Sequence, residues 1–185
     1  MRVFVAVKIP TVIRAALADF IKELRAIAPE AKWVRAENLH VTLKFLGNAD
    51  ESKCLAIEAA LAQVHSPQVV SLDFRGLRFF PNEKRPRVFW AGMEASANLN
   101  ALAADVDRAA HQLGFPLEDR PFTPHLTLAR FDCPRISPRL SSAVSVHADR
   151  HFGSMTTSEF QLMQSKLKPT GAEYTILRSF PFAGA

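Results

Sequence analysis

Histidine and threonine stand two positions apart twice in this chain, as His40 and Thr42 in "NLHVTLKFLG" and as His125 and Thr127 in "TPHLTLARF". An imidazole with an unperturbed pKa of ~6.5 gives or takes a proton at neutral pH, so two of them suit a paired acid and base. Two threonine hydroxyls can hydrogen-bond the non-bridging oxygens of a tetrahedral phosphate. The rival chemistries fit less well. Zinc ordinarily takes three or four protein ligands, and neither motif has an Asp, Glu, Cys or further His beside it, so no metal and no cofactor are expected. A threonine nucleophile is disfavoured because neither Thr is N-terminal and the second pair would be left without a purpose. A lone strand histidine is ordinarily a packing residue. Two copies, each with an apolar residue in the middle and a Leu after the Thr, argue for chemistry.

For His and Thr two apart to act together they must share a face, and a β-strand provides that. Leu39, Val41, Leu43 and Leu126 then point the other way, into a core, giving strands over 38–46 and 123–131. Strict alternation turns Phe45 and Arg130, each five residues past its histidine, away from the shared face. It places Lys44 beside His40 and Thr42, at the rim of any cleft.

The elements around these strands follow from apolar periodicity. Residues 13, 16, 17, 20, 21, 24 and 27 mark a helix with Thr11 as its N-cap, after a first strand over 3–9. A short strand near 32–35 precedes the first His strand, and a second helix, capped by Asn48 or Asp50, follows it. "VVSLDFRGLRFFP" and "RPRVFWAGM" read as a hairpin around "NEKR", and a third helix runs over 96–113 to a stop at Gly114. After the second His strand, 134–150 is short and broken by proline. "SEFQLMQSKLKP" and "AEYTILRSF" then form another hairpin, turning at "TG". Helix, His strand, connecting segment and hairpin therefore recur in the same order. The fold expected is α+β, a single domain over 1–185. It is built from two pseudo-symmetric lobes, each a mainly antiparallel sheet with helices on its outer face, with the cleft between them.

Composition sets outer limits. The 185 residues suffice for a sizeable core, and no apolar run approaches a membrane span. The start, "MRVFVAVKIP", reads as a strand and not a secretory signal, which implies a cytoplasmic protein in which Cys54 and Cys133 are free thiols. The 23 Lys and Arg against 18 Asp and Glu give a net charge of +5, a modest excess compatible with an anionic phosphate ligand.

With "MRVFVAVKIP", "WVRAENLHVTLKFLG", "RVFWAGM" and "RPFTPHLTLAR" placed around the two motifs, the chain resembles the two-histidine (2H) phosphoesterase superfamily. Within it the flanks are similar to the RNA 2′,3′-cyclic phosphodiesterases, or LigT-like 2′-5′ RNA ligases. The likeness runs from residue 1 to about 131. It implies metal-independent opening of a 2′,3′-cyclic phosphate to a 2′-phosphomonoester, and reversible ATP-independent 2′-5′ ligation when a 5′-hydroxyl replaces water. Carried across by position, His40 is the proton donor to the departing 3′-oxygen and His125 the base. Residue types and spacing alone leave those two roles interchangeable. Thr42, Thr127 and Arg130 would bind the phosphate, and Phe45 is a base-stacking candidate whose competing role is core packing. The partner implied is an RNA or nucleotide with a 2′,3′-cyclic end, with no membrane, no obligate protein partner and a monomeric state. The alternatives are the same chemistry on a 2′-5′ oligonucleotide or an ADP-ribose cyclic phosphate, or a non-catalytic RNA-end-binding module.

Weaker signals remain. Lys84, Arg85 and Arg87 in the 82–87 turn could touch an RNA backbone, although a solvated hairpin tip is the plainer reading. Lys166 and Lys168 in the late hairpin could add positive potential. His65, His111, His147 and His151 have no Thr two residues on and receive no catalytic role, and Trp33 and Trp90 fit either core or cleft wall.

Overall fold

The computed structural model describes residues 1–133, 135–169 and 171–182. Strand β1 (Arg2–Lys8) leads to helix α1 (Thr11–Ile27), the two-residue strand β2 (Lys32–Trp33) and strand β3 (His40–Asn48). Helix α2 (Glu51–Leu61), the hairpin β4 (Val70–Phe80) and β5 (Val88–Ala95), and helix α3 (Ala97–Gln112) follow. The chain ends with β6 (His125–Arg130), α4 (Pro138–Val146), β7 (His151–Thr157) and the hairpin β8 (Glu159–Lys168) and β9 (Gly171–Pro181). Thr170 of the expected turn lies outside the described residues, as does Pro134 in the proline-broken stretch.

The strands form two antiparallel sheets, in the orders β3-β1-β8-β9 and β2-β6-β5-β4-β7. Each sheet owns one histidine strand, as the repeat suggested, but the lobes are not the two halves of the sequence. The C-terminal hairpin pairs with β1, while the first hairpin pairs with β6. The beginning and end of the chain thus build one sheet, and the middle builds the other. Helices cross over too. Phe20 of α1 packs on Phe152 of β7 at 5.3 Å, and Ile13 lies under Gly153, where a Cβ would come within 3.1 Å of it. That glycine, at a φ of 129°, is required by both its backbone and its neighbour. Helix α3 lies against β3, with α2 beside it.

Helix ends follow local chemistry. Asp50 caps α2 by accepting from the Lys53 amide at 2.7 Å, and Ser137 caps α4 by accepting from Leu140 at 3.2 Å. Pro10, not Thr11, holds the cap position of α1, because its fixed φ suits the entry and Thr11 is already helical. Strand β7 carried no clear sequence signal. Its "HFGSMTT" has too few branched apolar residues, and pairing with β4 holds it. Between sheets and helices, Phe20, Phe74, Phe89 and Phe160 are fully buried, each contributing about 1.5–3 kcal/mol by leaving water. Among the described residues no helix is long and apolar enough to cross a membrane.

Candidate active site

Strands β3 and β6 begin at their histidines, two residues later than the sequence pattern suggested, and they lie beside each other where the sheets meet. The two motifs therefore face one cleft of about 370 Å³, lined by His40, Thr42, His125, Thr127, Phe45 and Arg130 among others. Val41, Leu43, Leu126 and Leu128 are buried behind them.

Phe45 and Arg130 reach the cleft because neither strand alternates strictly. In the β1–β3 ladder Ala6 faces Thr42 and Val5 faces Lys44, which leaves Leu43 as an extra residue. In the β5–β6 ladder Trp90 faces Thr127 and Phe89 faces Ala129, which leaves Leu128 unpaired in the same way. Each bulge falls three residues after its histidine. It puts two successive side chains on the core side and returns the next one to the cleft. Phe45 is consequently 59% exposed in the cleft rather than packed in the core.

The same bulge corrects the placement of Lys44. It is not at the rim but buried on the opposite face, its ammonium 2.5 Å from Asp107, 2.9 Å from the Pro116 carbonyl and 3.4 Å from Glu118. Lys166 and Lys168 also miss the cleft. Their neighbours Ser165 and Leu167 line it, so the lysines occupy the other face of the hairpin, where Lys168 pairs with Glu173.

Each imidazole is held the same way. His40 Nδ1 lies 2.6 Å from the Asn38 carbonyl, and His125 Nδ1 lies 2.8 Å from the Thr123 carbonyl. A carbonyl can only accept, so Nδ1 carries the proton in both rings. Nε2 is then the atom free to exchange a proton. The surroundings differ. His40 is half-buried between Phe4, at 4.8 Å, and the edge of Tyr174, at 5.2 Å, whereas His125 is exposed and meets Trp90 at 5.5 Å. Burial holds the His40 imidazole below its ordinary value of 6.5. The nearby His125 and Arg130 charges push the same way, against the hydrogen bond to Asn38, which raises it. At neutral pH these surroundings favour the neutral form of His40.

Several participants escaped sequence reading. Backbone carbonyls carry no residue signal, so the grips on the two rings were invisible, although a residue two before each histidine supplies them. Tyr174 and Phe4 looked like ordinary strand residues. Asn38, which is buried, donates to the Ala172 carbonyl at 2.6 Å and so ties the His40 approach to β9. Among the described residues no group of three or more His, Cys, Asp and Glu is arranged to hold a metal ion.

Known proteins resemble this chain along almost its whole length. Residues 13–168 match the family model described as the 2′-5′ RNA ligase superfamily. The chain is 38% identical over 180 residues to the RNA 2′,3′-cyclic phosphodiesterase of Archaeoglobus fulgidus, covering 97% of this chain and 99% of that one. It is 37% identical over 195 residues to the enzyme of the same name from Thermus thermophilus, covering 100% and 91%. Among solved structures, a protein from Thermus thermophilus superposes with a TM-score of 0.83 at 32% identity, covering 100% of this chain and 99% of that one. LigT of E. coli, crystallised with 3′-AMP, superposes with a TM-score of 0.76 at 27% identity, covering 98% of each chain.

Proposed function

The chain belongs to the 2′-5′ RNA ligase superfamily, and we propose that it is an RNA 2′,3′-cyclic phosphodiesterase working through His40 and His125 without a metal. The observation that carries this reading is the matched pair of imidazoles, each fixed at Nδ1 by a carbonyl and each lining the same cleft beside a threonine.

Water attacks phosphorus, and His125 Nε2 takes its proton. The P–O3′ bond breaks, and His40 Nε2 delivers a proton to the departing 3′-oxygen, leaving a 2′-phosphomonoester. Each transfer is worth about 10²–10⁴ in rate. The hydroxyls of Thr42 and Thr127 donate to the non-bridging oxygens, and Arg130 offsets charge that builds on them in the transition state. His40 must be protonated to act, and its burial disfavours that form. The incoming phosphodiester anion supplies the opposite charge that stabilises the imidazolium, so binding itself recruits the acid. Phe45, facing the cleft with one side of its ring near Phe4 at 6.1 Å and the rest exposed, stacks on the terminal base. With a 5′-hydroxyl in place of water, the same path forms P–O5′ as P–O3′ breaks and makes a 2′-5′ linkage without ATP.

The test is turnover of a nucleoside 2′,3′-cyclic phosphate in excess EDTA, followed by ³¹P NMR. A 2′-monophosphate product, abolished in His40→Ala and in His125→Ala, is expected. Loss of activity on chelation, a 3′-phosphate product, or turnover surviving both substitutions would overturn the assignment.

A further inference from the structure

The face of β6 that lines the cleft continues across the five-stranded sheet, because paired residues across antiparallel strands share a face. His125 pairs with Gly92, Thr127 with Trp90, and Arg130 with Val88 on β5. One strand further out, Trp90 pairs with Arg78 and Val88 pairs with Phe80 on β4. Arg78 and Phe80 therefore stand on the same surface as the catalytic motif, two strand spacings or roughly 10 Å from it.

Neither residue has a structural task there. Phe80 is 50% exposed, whereas Phe79 beside it is turned inward and packs on Phe89 at 4.9 Å. Arg78 is exposed, and among the described residues it has no ion-pair or hydrogen-bond partner. Its Nε lies 3.8 Å from where a Cβ on Gly92 would stand, so its side chain leans over the residue paired with His125. The charge on this face is divided. Glu94 and Asp73 lie toward one end, where Asp73 is bound to His151 and Ser154 and pairs with Arg75 at 3.7 Å. At the other end are Arg130, Arg78 and, just beyond Phe80, the turn with Lys84 and Arg85.

Building on the assignment of the catalytic cleft, we propose that Phe80 and Arg78 form a second nucleotide position. It receives the single-stranded RNA immediately upstream of the cyclic-phosphate end. The strand crosses β5 and β4 toward the 82–87 turn and away from Glu94. Phe80 stacks on a base, and Arg78 contacts the phosphodiester that joins it to the reacting nucleotide. An aromatic face beside an unpaired guanidinium on an open sheet is suited to this ligand, because stacking tolerates any base and the cation tracks the backbone. The enzyme then selects RNA ends over free cyclic nucleotides.

The experiment compares kcat/KM on a nucleoside 2′,3′-cyclic phosphate and on a short oligoribonucleotide ending in the same group. The wild type is expected to prefer the oligonucleotide. Arg78→Gln and Phe80→Ala are each expected to lose roughly tenfold on it, with the mononucleotide rate unchanged. Lys166→Gln, on the far face of the late hairpin, serves as a control and should alter neither. For Arg78→Gln, the slope of log affinity against log salt should also fall by about 0.7. Equal losses on both substrates, or no loss on the oligonucleotide, would overturn the proposal. If the wild type turns over neither substrate, the catalytic assignment fails instead. Fluorescence anisotropy with a labelled oligoribonucleotide ending in a 2′-phosphate still decides the track. Weaker binding by both variants supports it, and unchanged binding overturns it.

Discussion

Replacing Lys44 with Met tests whether the β3 bulge is held by charge. The ammonium is 2% exposed and faces Asp107 at 2.5 Å, the Pro116 carbonyl at 2.9 Å and Glu118 at 3.4 Å. Methionine keeps most of the stem and removes the charge, so the loss isolates the ion pair. Breaking a buried pair from one side costs about 3–5 kcal/mol, chiefly because the partner is stranded. Here Asp107 is 19% exposed and Glu118 is 58% exposed, so water recovers part of that. The expected cost is about 2–3 kcal/mol, or roughly 4–12 °C in Tm for a domain of this size. Urea denaturation of Lys44→Met, Asp107→Leu and the double variant gives the coupling directly. The double variant should recover most of the loss, because no charge is then buried alone. A single-variant cost under about 0.5 kcal/mol, or a double variant as weak as the sum of the two, would refute the reasoning.

Two further outcomes follow from the site. Because the folded state depresses the His40 pKa, the unfolded chain binds more protons below the ordinary value of 6.5. Stability is therefore lost as pH falls through that value toward the folded one. His40→Gln should shrink the difference in unfolding free energy between pH about 7.5 and about 5.5, and an unchanged or enlarged difference would contradict the burial account. Phe45→Ala should raise KM for a nucleoside 2′,3′-cyclic phosphate by about 5- to 150-fold through lost stacking while leaving the folding midpoint near wild type, since the ring is largely exposed. A large stability loss with unaltered KM would return Phe45 to a packing role.

The parts of this molecule legible in sequence are those where residue type reports environment directly. His40, Thr42, His125 and Thr127 were findable because the same polar pair recurs on two apolar strands, and packing does not explain the repetition. The first hairpin and three of the helices were findable because their apolar periods are long. What stayed hidden depended on pairing. Lys44 was misplaced because alternation counts every residue, and a bulge is a property of two strands together. The same blindness turned Phe45 and Arg130 away from the cleft. Strand β7 is specified by the edge of β4 more than by its own residues. The exchange of hairpins between halves leaves no local trace, because each hairpin reads identically whichever sheet receives it.

The repeated bulge explains how one motif can serve two purposes. Both strands keep what proton transfer requires: a histidine at the start, a carbonyl two residues before it and a threonine two after. Both insert a leucine at the next core position, so the residue five past the histidine re-enters the cleft. That re-entry point is where the strands part company, with an aromatic ring in one and a guanidinium in the other. Behind it the core-side residue also differs, a paired lysine in β3 and a fully buried alanine in β6. The four-stranded wall accordingly presents Phe4, Phe45 and Tyr174, suited to a base. The five-stranded wall presents Arg130 and, further out, Arg78, suited to a backbone. In the proposed reaction, the symmetric part of the site takes the phosphate, which presents equivalent oxygens to both sides. In that reaction the asymmetric part would fix which way round the nucleotide lies, and hence which histidine meets the departing 3′-oxygen.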